Sequence, residues 1–282
     1  MRLNEKQIRF FHTFGFLVFR DALAPEIQEI TSRFEKIWRH AQDSHDKKQR
    51  STLVPFIDQD EYLSAMIDHE MLDGIASSLL GDDYNYTGSD GNYYVGDTLW
   101  HSDGWFRTKY LSIKMAIYLD PVTSDTGCLR VIPGSHHVGA FADMIHAAYD
   151  IPHQEQERLW GIKGIDIPSF HIESKPGDLV VFAHRIRHSS FGGGDARRMF
   201  TINFEKRHLE EDIDLIKKEI SSLAVFWAER AYGKKMIDTA GLSRMKHLEQ
   251  RLANDGHLPG LVSKDKAETS NQNDIKLFRN EN

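Results

Sequence analysis

The chain has 282 residues, of which 40% are hydrophobic and 27% charged, and its formal net charge is -7. A chain of this length and composition is long enough to bury the core of a globular protein. The acidic balance argues against a general nucleic-acid or anionic-membrane binder, because those partners select basic surfaces. The single cysteine excludes an intramolecular disulfide and a cysteine zinc cage.

No stretch approaches 18 consecutive apolar residues, so no membrane span is expected. The opening residues are interrupted by charges and lack the apolar run of a secretory signal. We therefore expect a cytoplasmic protein with a small-molecule partner and without nucleic-acid or membrane partners. A monomer or a small homo-oligomer is expected.

The first 80 residues have mainly helical periodicity. Asn4 is placed as an N-cap, and Gln7 follows three residues later as in a capping box. Pro25 is tolerated in the first turn of a helix and marks where the next one begins. The elements predicted here are a helix over 4–13, a strand over 15–19, and helices over 24–42 and 61–80.

From about residue 84 the pattern changes to short runs rich in Val, Ile, Tyr and Phe, separated by Gly, Pro, Asp and Ser. Successive strands of a sandwich or barrel have this pattern. An insertion between Pro133 and Phe170 is long enough to be functional or to carry its own helix. Helical periodicity returns over 208–231 and 240–253.

These patterns predict a mainly β protein with flanking helices in one domain over residues 1–262. The β core covers about 84–207, and helical flanks cover 4–80 and 208–262. Residues 263–282 form a polar tail that we expect to be flexible.

The stretch LWHSDGWFR at 99–107 contains a histidine and an aspartate two residues apart, His101 and Asp103. Residues i and i+2 of a strand point the same way, so this imidazole and carboxylate share one face, and Ser102 points to the other. The pair is either a surface pair or two of three metal ligands.

Candidates for a third ligand lie in KPGDLVVFAHRIRHSSFGGGDARRMFTINF, residues 175–204. A strand here ends near His184 and His188, and the next strand opens with Arg197 and Arg198. Two histidines and a carboxylate from separate β elements suit Fe(II) and leave coordination positions open. An arginine beyond the metal supplies a bidentate clamp for a carboxylate, which a zinc hydrolase with similar ligands would not need.

The order of these motifs resembles the phytanoyl-CoA dioxygenase family of Fe(II)/2-oxoglutarate-dependent oxygenases. The matching pieces are NEKQIRFFHTFGFLVFRDAL, WHSD, YLDPVTSDTGCLRVIPGSHH and PGDLVVFAHRIRHSS followed by RR, which together span about residues 4 to 205. The resemblance implies a double-stranded β-helix, a jelly-roll and cupin-like core, in agreement with the strand pattern.

The resemblance also implies Fe(II), 2-oxoglutarate and O₂ as cofactors, and it selects His188 rather than His184 as the third ligand. His184, His136 and His137 are then interpreted as structural. The residues that it implies are His101, Asp103 and His188 as catalytic iron ligands, Ser190 and either Arg197 or Arg198 as contacts of 2-oxoglutarate, and Lys114 and Asn92 as weaker contact candidates.

The reaction expected from the resemblance is hydroxylation of a small molecule with release of succinate and CO₂. Asp103 favours hydroxylation over halogenation, because related halogenases have a small residue at this position; desaturation and ring closure remain open. The alternatives are a cupin-like metal-dependent hydrolase or isomerase, and a non-catalytic jelly-roll binding protein.

For the substrate, residues 134–169 and the Gln59–Asp60 region are interpreted as lids over a cavity. Trp105 and Phe106 are candidates for its apolar wall. A set of cationic residues near the proposed site favours an anionic substrate if it lines the cavity mouth, and is otherwise a solvated rim. The set comprises Arg107, Lys109, Arg185 and Arg187.

Overall fold

The computed structural model describes residues 1–40, 45–104, 109–149, 155, 157–158, 161–268 and 276–278. Two β-sheets form the centre of the molecule. The major sheet has seven strands in the order β1-β8-β5-β10-β3-β2-β11, and the minor sheet has four in the order β4-β9-β6-β7. The strand pattern predicted a sandwich or barrel, and the jelly-roll core that the family resemblance implied is confirmed.

Neighbouring strands pair antiparallel, except that the last strand pairs parallel with β2. The strands are β1 (Phe16–Phe19), β2 (Ser51–Leu53), β3 (Asn85–Tyr94), β4 (Thr98–His101), β5 (Ser112–Tyr118), β6 (Leu129–Val131), β7 (Phe170–Ile172), β8 (Leu179–Ala183), β9 (His188–Ser190), β10 (Arg197–Glu205) and β11 (Lys276–Phe278).

Helices precede, interrupt and follow the sheets. The α-helices in the described part of the chain are α1 (Glu5–Phe14), α2 (Ile27–His40), α3 (Glu61–Ser64), α4 (Glu70–Leu80), α5 (Ala140–Tyr149), α6 (Ile213–Ser221), α7 (Lys234–Asp238), α8 (Leu242–Met245), α9 (Glu249–Leu252) and α10 (Leu258–Glu268). None of the described helices is both long and apolar enough to cross a lipid bilayer.

The central strands of the major sheet are buried on both faces, one of which packs against the core while the other lines a cavity. On β10, Phe200, Ile202 and Phe204 belong to the large core that the sheet shares with the helices. The alternate residues Met199 and Thr201 point between the two sheets, where they line a cavity. Because side chains alternate along a strand, each central strand supplies one row to the core and one row to the cavity.

The first helix begins and ends as the sequence predicts. Asn4 accepts from the backbone N–H of Gln7, and the Gln7 side chain accepts from the backbone N–H of Asn4, which completes the capping box. The helix ends at Gly15, whose φ of 84° is left-handed and lets the chain turn directly into β1.

We expect Gly15→Ala to destabilise the protein by about 1–3 kcal/mol. An alanine would be strained at this φ, and its Cβ would lie 2.6 Å from Nδ1 of His136, which packs over the turn. The matched control is Gly256→Ala, because nothing lies within 4 Å of a Cβ there. Urea unfolding of both variants checks the prediction, which is wrong if the two midpoints shift equally.

The predicted helix over 61–80 is wrong in one respect, because it is divided into α3, a 3₁₀ turn over Ala65–Asp68, and α4. The break occurs at His69, whose backbone is extended and whose Nδ1 accepts from the N–H of Met71, so that it caps α4. Histidine is not among the usual capping residues, so the sequence pattern did not reveal the break.

The helical periodicity predicted over 208–231 and 240–253 corresponds to several short helices and turns. Residues 208–231 contain only α6 and 3₁₀ turns, and Trp227 adopts a left-handed φ of 56°. Residues 240–253 contain α8 and α9, each four residues long. Within the predicted tail, α10 continues to Glu268, and β11 lies beside β2. Helical periodicity makes neighbouring amphipathic runs look like one continuous stretch, although tertiary packing divides them into separate short helices.

The single cysteine, Cys128, lies in the apolar core between the two sheets. Burial raises the pKa of its thiol to about 11, so we expect no reaction of the native protein with thiol reagents near pH ~8 and full reaction in denaturant. The unfolded thiol ionises near 9.0. Its contribution to stability is therefore constant below that pH and is lost as the pH rises towards 11. Rapid labelling of native protein would contradict this prediction.

Candidate active site

His101 and Asp103 lie at the end of β4, where the minor sheet opens towards the major sheet. Nδ1 of His101 donates to the carbonyl oxygen of Leu99 at 2.8 Å, which directs Nε2 towards the carboxylate of Asp103, 3.6 Å away. Ser102 points the other way, as predicted, and its hydroxyl donates to the carbonyls of His184 and Arg185. The backbone N–H of Asp103 also donates to the carbonyl of His184 at 3.1 Å.

His188 begins β9 and pairs directly with His101 across the minor sheet. Its Nδ1 donates to the carbonyl of Ile186 at 2.9 Å, and its Nε2 lies 3.7 Å from Oδ2 of Asp103. One ligand atom from each of the three side chains lies within 4.8 Å of the others. Backbone acceptors fix the tautomer of both imidazoles and leave each Nε2 lone pair available to a metal.

The charge state of this triad suits a divalent metal. Burial lowers the pKa of both histidines, that of His188 to about 3, so both imidazoles are neutral at neutral pH. Burial acts to raise the pKa of Asp103, but the positive charge of Lys114 opposes it, and that pKa lies well below its usual range. Two neutral imidazoles and one carboxylate are the donor set of a non-haem Fe(II) site.

Lys114 on β5 is a cation in direct contact with the triad. Its Nζ lies 2.6 Å from Oδ2 of Asp103, and its side chain is 16% exposed. It sits opposite Asn203 in the register of β5 and β10. The contact fixes the orientation of the Asp103 carboxylate within the triad.

The triad opens into a cavity of about 530 Å³ between the two sheets. Its inner wall is the inward row of the central strands, and a further wall comes from residues after β10. The inner wall comprises Tyr94, Lys114, Ala116, Tyr118, Phe182, Arg197, Met199, Thr201 and Asn203, and the further wall comprises Glu219, Ser222, Leu223, Phe226 and Arg251.

The two candidate arginines point to opposite faces of the major sheet. Arg197 points into the cavity, is 7% exposed, and has its guanidinium carbon 5.2 Å from the centre of the Tyr94 ring. Its Nε and Nη1 have no hydrogen-bond partner among the described residues. Gly127 leaves room for this head group, since a Cβ there would overlap Nη1. A buried guanidinium with open donors has the chemistry of an anion site.

Arg198 is instead held by two carboxylates on the outer face. Its Nη2 lies 2.5 Å from Oδ1 of Asp120, and its Nη1 lies 2.6 Å from Oε1 of Glu35. These contacts raise its pKa above the ordinary value, with the Asp120 hydrogen bond contributing most. Its charge is therefore compensated within the protein.

The phytanoyl-CoA dioxygenase (PhyH) family model matches residues 11–199, which include all three triad residues and Arg197. The chain belongs to the phytanoyl-CoA dioxygenase family. It is therefore a 2-oxoglutarate-dependent dioxygenase that uses Fe(II), 2-oxoglutarate and O₂. Family membership favours the oxygenase over the hydrolase, isomerase and binding-protein alternatives.

Similar proteins include a hydroxylase and two solved structures. The dioxygenase is 26% identical over 204 residues to L-proline trans-4-hydroxylase from Streptomyces griseoviridis, a match that covers 62% of this chain and 75% of the relative. EctD from S. alaskensis, solved with 2-oxoglutarate and 5-hydroxyectoine, has a TM-score of 0.55 at 20% identity over 72% of this chain and 76% of its own. The carbocyclase SnoK from nogalamycin biosynthesis has a TM-score of 0.57 at 19% identity over 76% and 90% of the two chains. The two structures show a shared fold.

Two further predicted cosubstrate contacts of the dioxygenase have different surroundings. Ser190 on β9 lines the cavity, and its hydroxyl donates to the carbonyl of Gly127 at 2.8 Å. Asn92 is buried and does not line the cavity. Its amide oxygen accepts from Arg50, and its amide nitrogen donates to Asp90. Asn92 therefore supports a cavity residue and does not form part of the cavity wall itself.

The residues predicted to contact substrate are only partly covered by the structure. Trp105, Phe106 and Arg107 lie outside the described residues. Lys109 pairs with Asp212 at 2.5 Å and does not line the cavity.

The other predicted rim residues, Arg185 and Arg187, also do not line the cavity. Arg185 donates to the carbonyls of His136 and His137, and Arg187 is buried. Neither the described part of 134–169 nor Gln59–Asp60 lines it either. Among the described rim residues, Lys109 therefore forms an ion pair, Arg185 forms hydrogen bonds to the backbone, and Arg187 is buried.

Sequence reasoning missed Arg50 and the wall after β10. Arg50 follows two lysines in KKQRS, a stretch that is typical of a solvated loop. The wall residues Leu223, Phe226 and Arg251 lie beyond the family match. A helical amphipathic pattern was the only signal for that wall, and such a pattern does not say which surface it covers.

Proposed function

We propose that this dioxygenase hydroxylates a small molecule, with conversion of 2-oxoglutarate to succinate and CO₂. His101, Asp103 and His188 hold Fe(II), and Arg197, beside Ser190, holds the far carboxylate of 2-oxoglutarate. The observation that carries the proposal is the presence, in one cavity, of the His101, Asp103 and His188 triad and of a buried arginine with open donors.

Bound iron supplies the oxidising chemistry that couples decarboxylation of 2-oxoglutarate to oxygen insertion into a C–H bond. The protein contributes orientation and charge. The two imidazoles are held by the carbonyls of Leu99 and Ile186, and the Asp103 carboxylate is held by Lys114. Arg197 offers a planar, buried clamp, which fixes a dicarboxylate in a single direction along the cavity.

The proposal is tested by adding Fe(II) and 2-oxoglutarate to the protein under anaerobic conditions and recording the visible absorption spectrum. A weak charge-transfer band is expected from the chelate of 2-oxoglutarate on Fe(II). Its absence from the wild-type protein would falsify the proposed function. Small molecules, L-proline among them, are then screened for stimulated release of succinate.

A further inference from the structure

Arg50 directly precedes β2 and lines the cavity, and its guanidinium group is held in one orientation. The guanidinium carbon lies 4.3 Å from the centre of the Tyr94 ring. Nε and Nη2 donate to Oδ1 of Asn92 at 2.9 and 2.6 Å. Asn92 is itself fixed by donating to Asp90 at 2.5 Å, and Nη2 of Arg50 lies 3.8 Å from that carboxylate.

The opposite edge of this guanidinium is open. Arginine carries five N–H donors in one plane. The contact with Asn92 uses donors on Nε and Nη2 alone. No hydrogen bond joins Nη1 to any of the described residues, although the side chain lines the cavity and is 33% exposed. An oriented fork with a free terminal edge is preorganised for a planar or tetrahedral oxyanion.

The cavity also carries more positive than negative charge. Its described lining includes four cationic side chains, Arg50, Lys114, Arg197 and Arg251, and three carboxylates, Asp90, Asp103 and Glu219. The histidines count as neutral. The two charges of Fe(II) are offset by the two of 2-oxoglutarate, so the described lining keeps a net charge of +1. In a cavity of reduced dielectric this excess favours an anion.

Two arginines lie near the ring of Tyr94 and present two guanidinium groups to the cavity. Arg197 and Arg50 have guanidinium carbons 5.2 and 4.3 Å from the ring centre, respectively. Arg197 opens β10, whereas Arg50 precedes β2, so the two head groups reach the ring from different strands. The proposed function uses Arg197 for 2-oxoglutarate, which leaves Arg50 for a second ligand.

We infer that the substrate of this dioxygenase carries an oxyanion group, a carboxylate or a phosphonate, and that the open edge of Arg50 binds it. The inference rests on the proposed function, because it assigns 2-oxoglutarate to Arg197. Asn92 and Asp90 act as positioning residues, since they hold Arg50 in place.

The test uses the full-length protein loaded with Fe(II) and 2-oxoglutarate without oxygen, and it follows the visible band as candidate ligands are added. The panel pairs small amino acids with their amides, in which an uncharged carboxamide replaces the carboxylate, and includes aminoalkyl phosphonates as a separate arm. An acid is expected to perturb the band at a concentration at least about tenfold lower than its amide, the effect of one charge-assisted hydrogen bond. The arm with the stronger effect identifies the oxyanion.

Arg50→Gln is expected to remove the preference for acid over amide and to leave the affinity for 2-oxoglutarate unchanged. Arg50→Lys retains the charge without the fork and should keep part of the preference. The matched control is Arg33→Gln, because this arginine of α2 is 34% exposed and does not line the cavity. It should keep the full preference.

The inference is overturned if amides bind as well as acids, or if no acid or phosphonate in the panel perturbs a band that 2-oxoglutarate has formed. It is also overturned if Arg50→Gln weakens 2-oxoglutarate binding as much as the same change at Arg197, because Arg50 would then serve the cosubstrate. Failure of the band to form at all is a separate result, since it contradicts the proposed function itself.

Discussion

His188→Ala is expected to abolish the visible band that 2-oxoglutarate forms with the Fe(II) protein, and with it the release of succinate. The substitution removes one of three metal ligands. Changes to groups that merely orient a ligand already cost about 10–100-fold in metal affinity, so loss of a ligand should cost more than about 100-fold. Anaerobic absorption spectra and an Fe(II) titration measure the effect.

A suitable control lies four residues earlier in the same cavity. His184 lines the cavity and its Nε2 lies 3.0 Å from Oδ1 of Asn203, a contact that glutamine can preserve. His184→Gln should therefore retain the band. The opposite result, a band lost in His184→Gln and kept in His188→Ala, would show that the wrong histidine has been assigned to iron.

Arg197→Gln is expected to weaken 2-oxoglutarate binding by about 10–100-fold while Fe(II) binding is retained. The variant loses charge-assisted hydrogen bonds to the far carboxylate, each of which contributes about 1.5–3 kcal/mol. The keto acid end of 2-oxoglutarate still has the metal to bind. Titration of the visible band with 2-oxoglutarate gives the affinity directly.

The neighbouring arginine provides the matched control for this experiment. Arg198→Gln loses the contacts to Asp120 and Glu35 on the outer face of the sheet. We expect it to lower the free energy of unfolding by about 1–2 kcal/mol, because these pairs are only partly buried, and to leave 2-oxoglutarate affinity unchanged. If Arg198→Gln is the variant that weakens 2-oxoglutarate, the roles of the two residues are reversed.

The cavity has two parts with different origins. The triad, Ser190 and Arg197 lie within residues 11–199, the part that the family model matches. The wall formed by Ser222, Leu223 and Phe226 lies outside it and combines apolar side chains with the Glu219–Arg251 pair, whose charged atoms are 3.5 Å apart. We expect substrate selection to depend on this wall together with Arg50, since these residues lie away from the ligands of iron.

Local patterns were sufficient for the strand region and for the ends of individual elements. The capping box of Asn4 and Gln7 involves residues three apart, and the shared face of His101 and Asp103 follows from a period of two. Such features depend on neighbours in the chain, so the sequence displays them directly. The choice of His188 over His184 came from a resemblance, and the structure brings His188 opposite His101 in the minor sheet.

Alternation alone required that Arg197 and Arg198 point to opposite faces, but it did not say which face contains the cavity. That was decided by the long-range pairing of β10 with β3 and β5, which places Arg197 beside Tyr94 and leaves Arg198 near Glu35. Arg50 was missed for the same reason. Its function depends on Tyr94 and Asn92, more than 40 residues further along the chain.

The sequence by itself determined the strand-rich core, because strand periodicity is a local pattern. The order of its motifs carried the family resemblance, and that resemblance implied the metal triad and the class of reaction. Only the tertiary structure decided which arginine faces the cavity, which cations form ion pairs, and which segment lines the part of the cavity away from the triad. These outcomes depend on packing between distant segments, where burial and charge compensation select one arrangement among several that the local pattern permits.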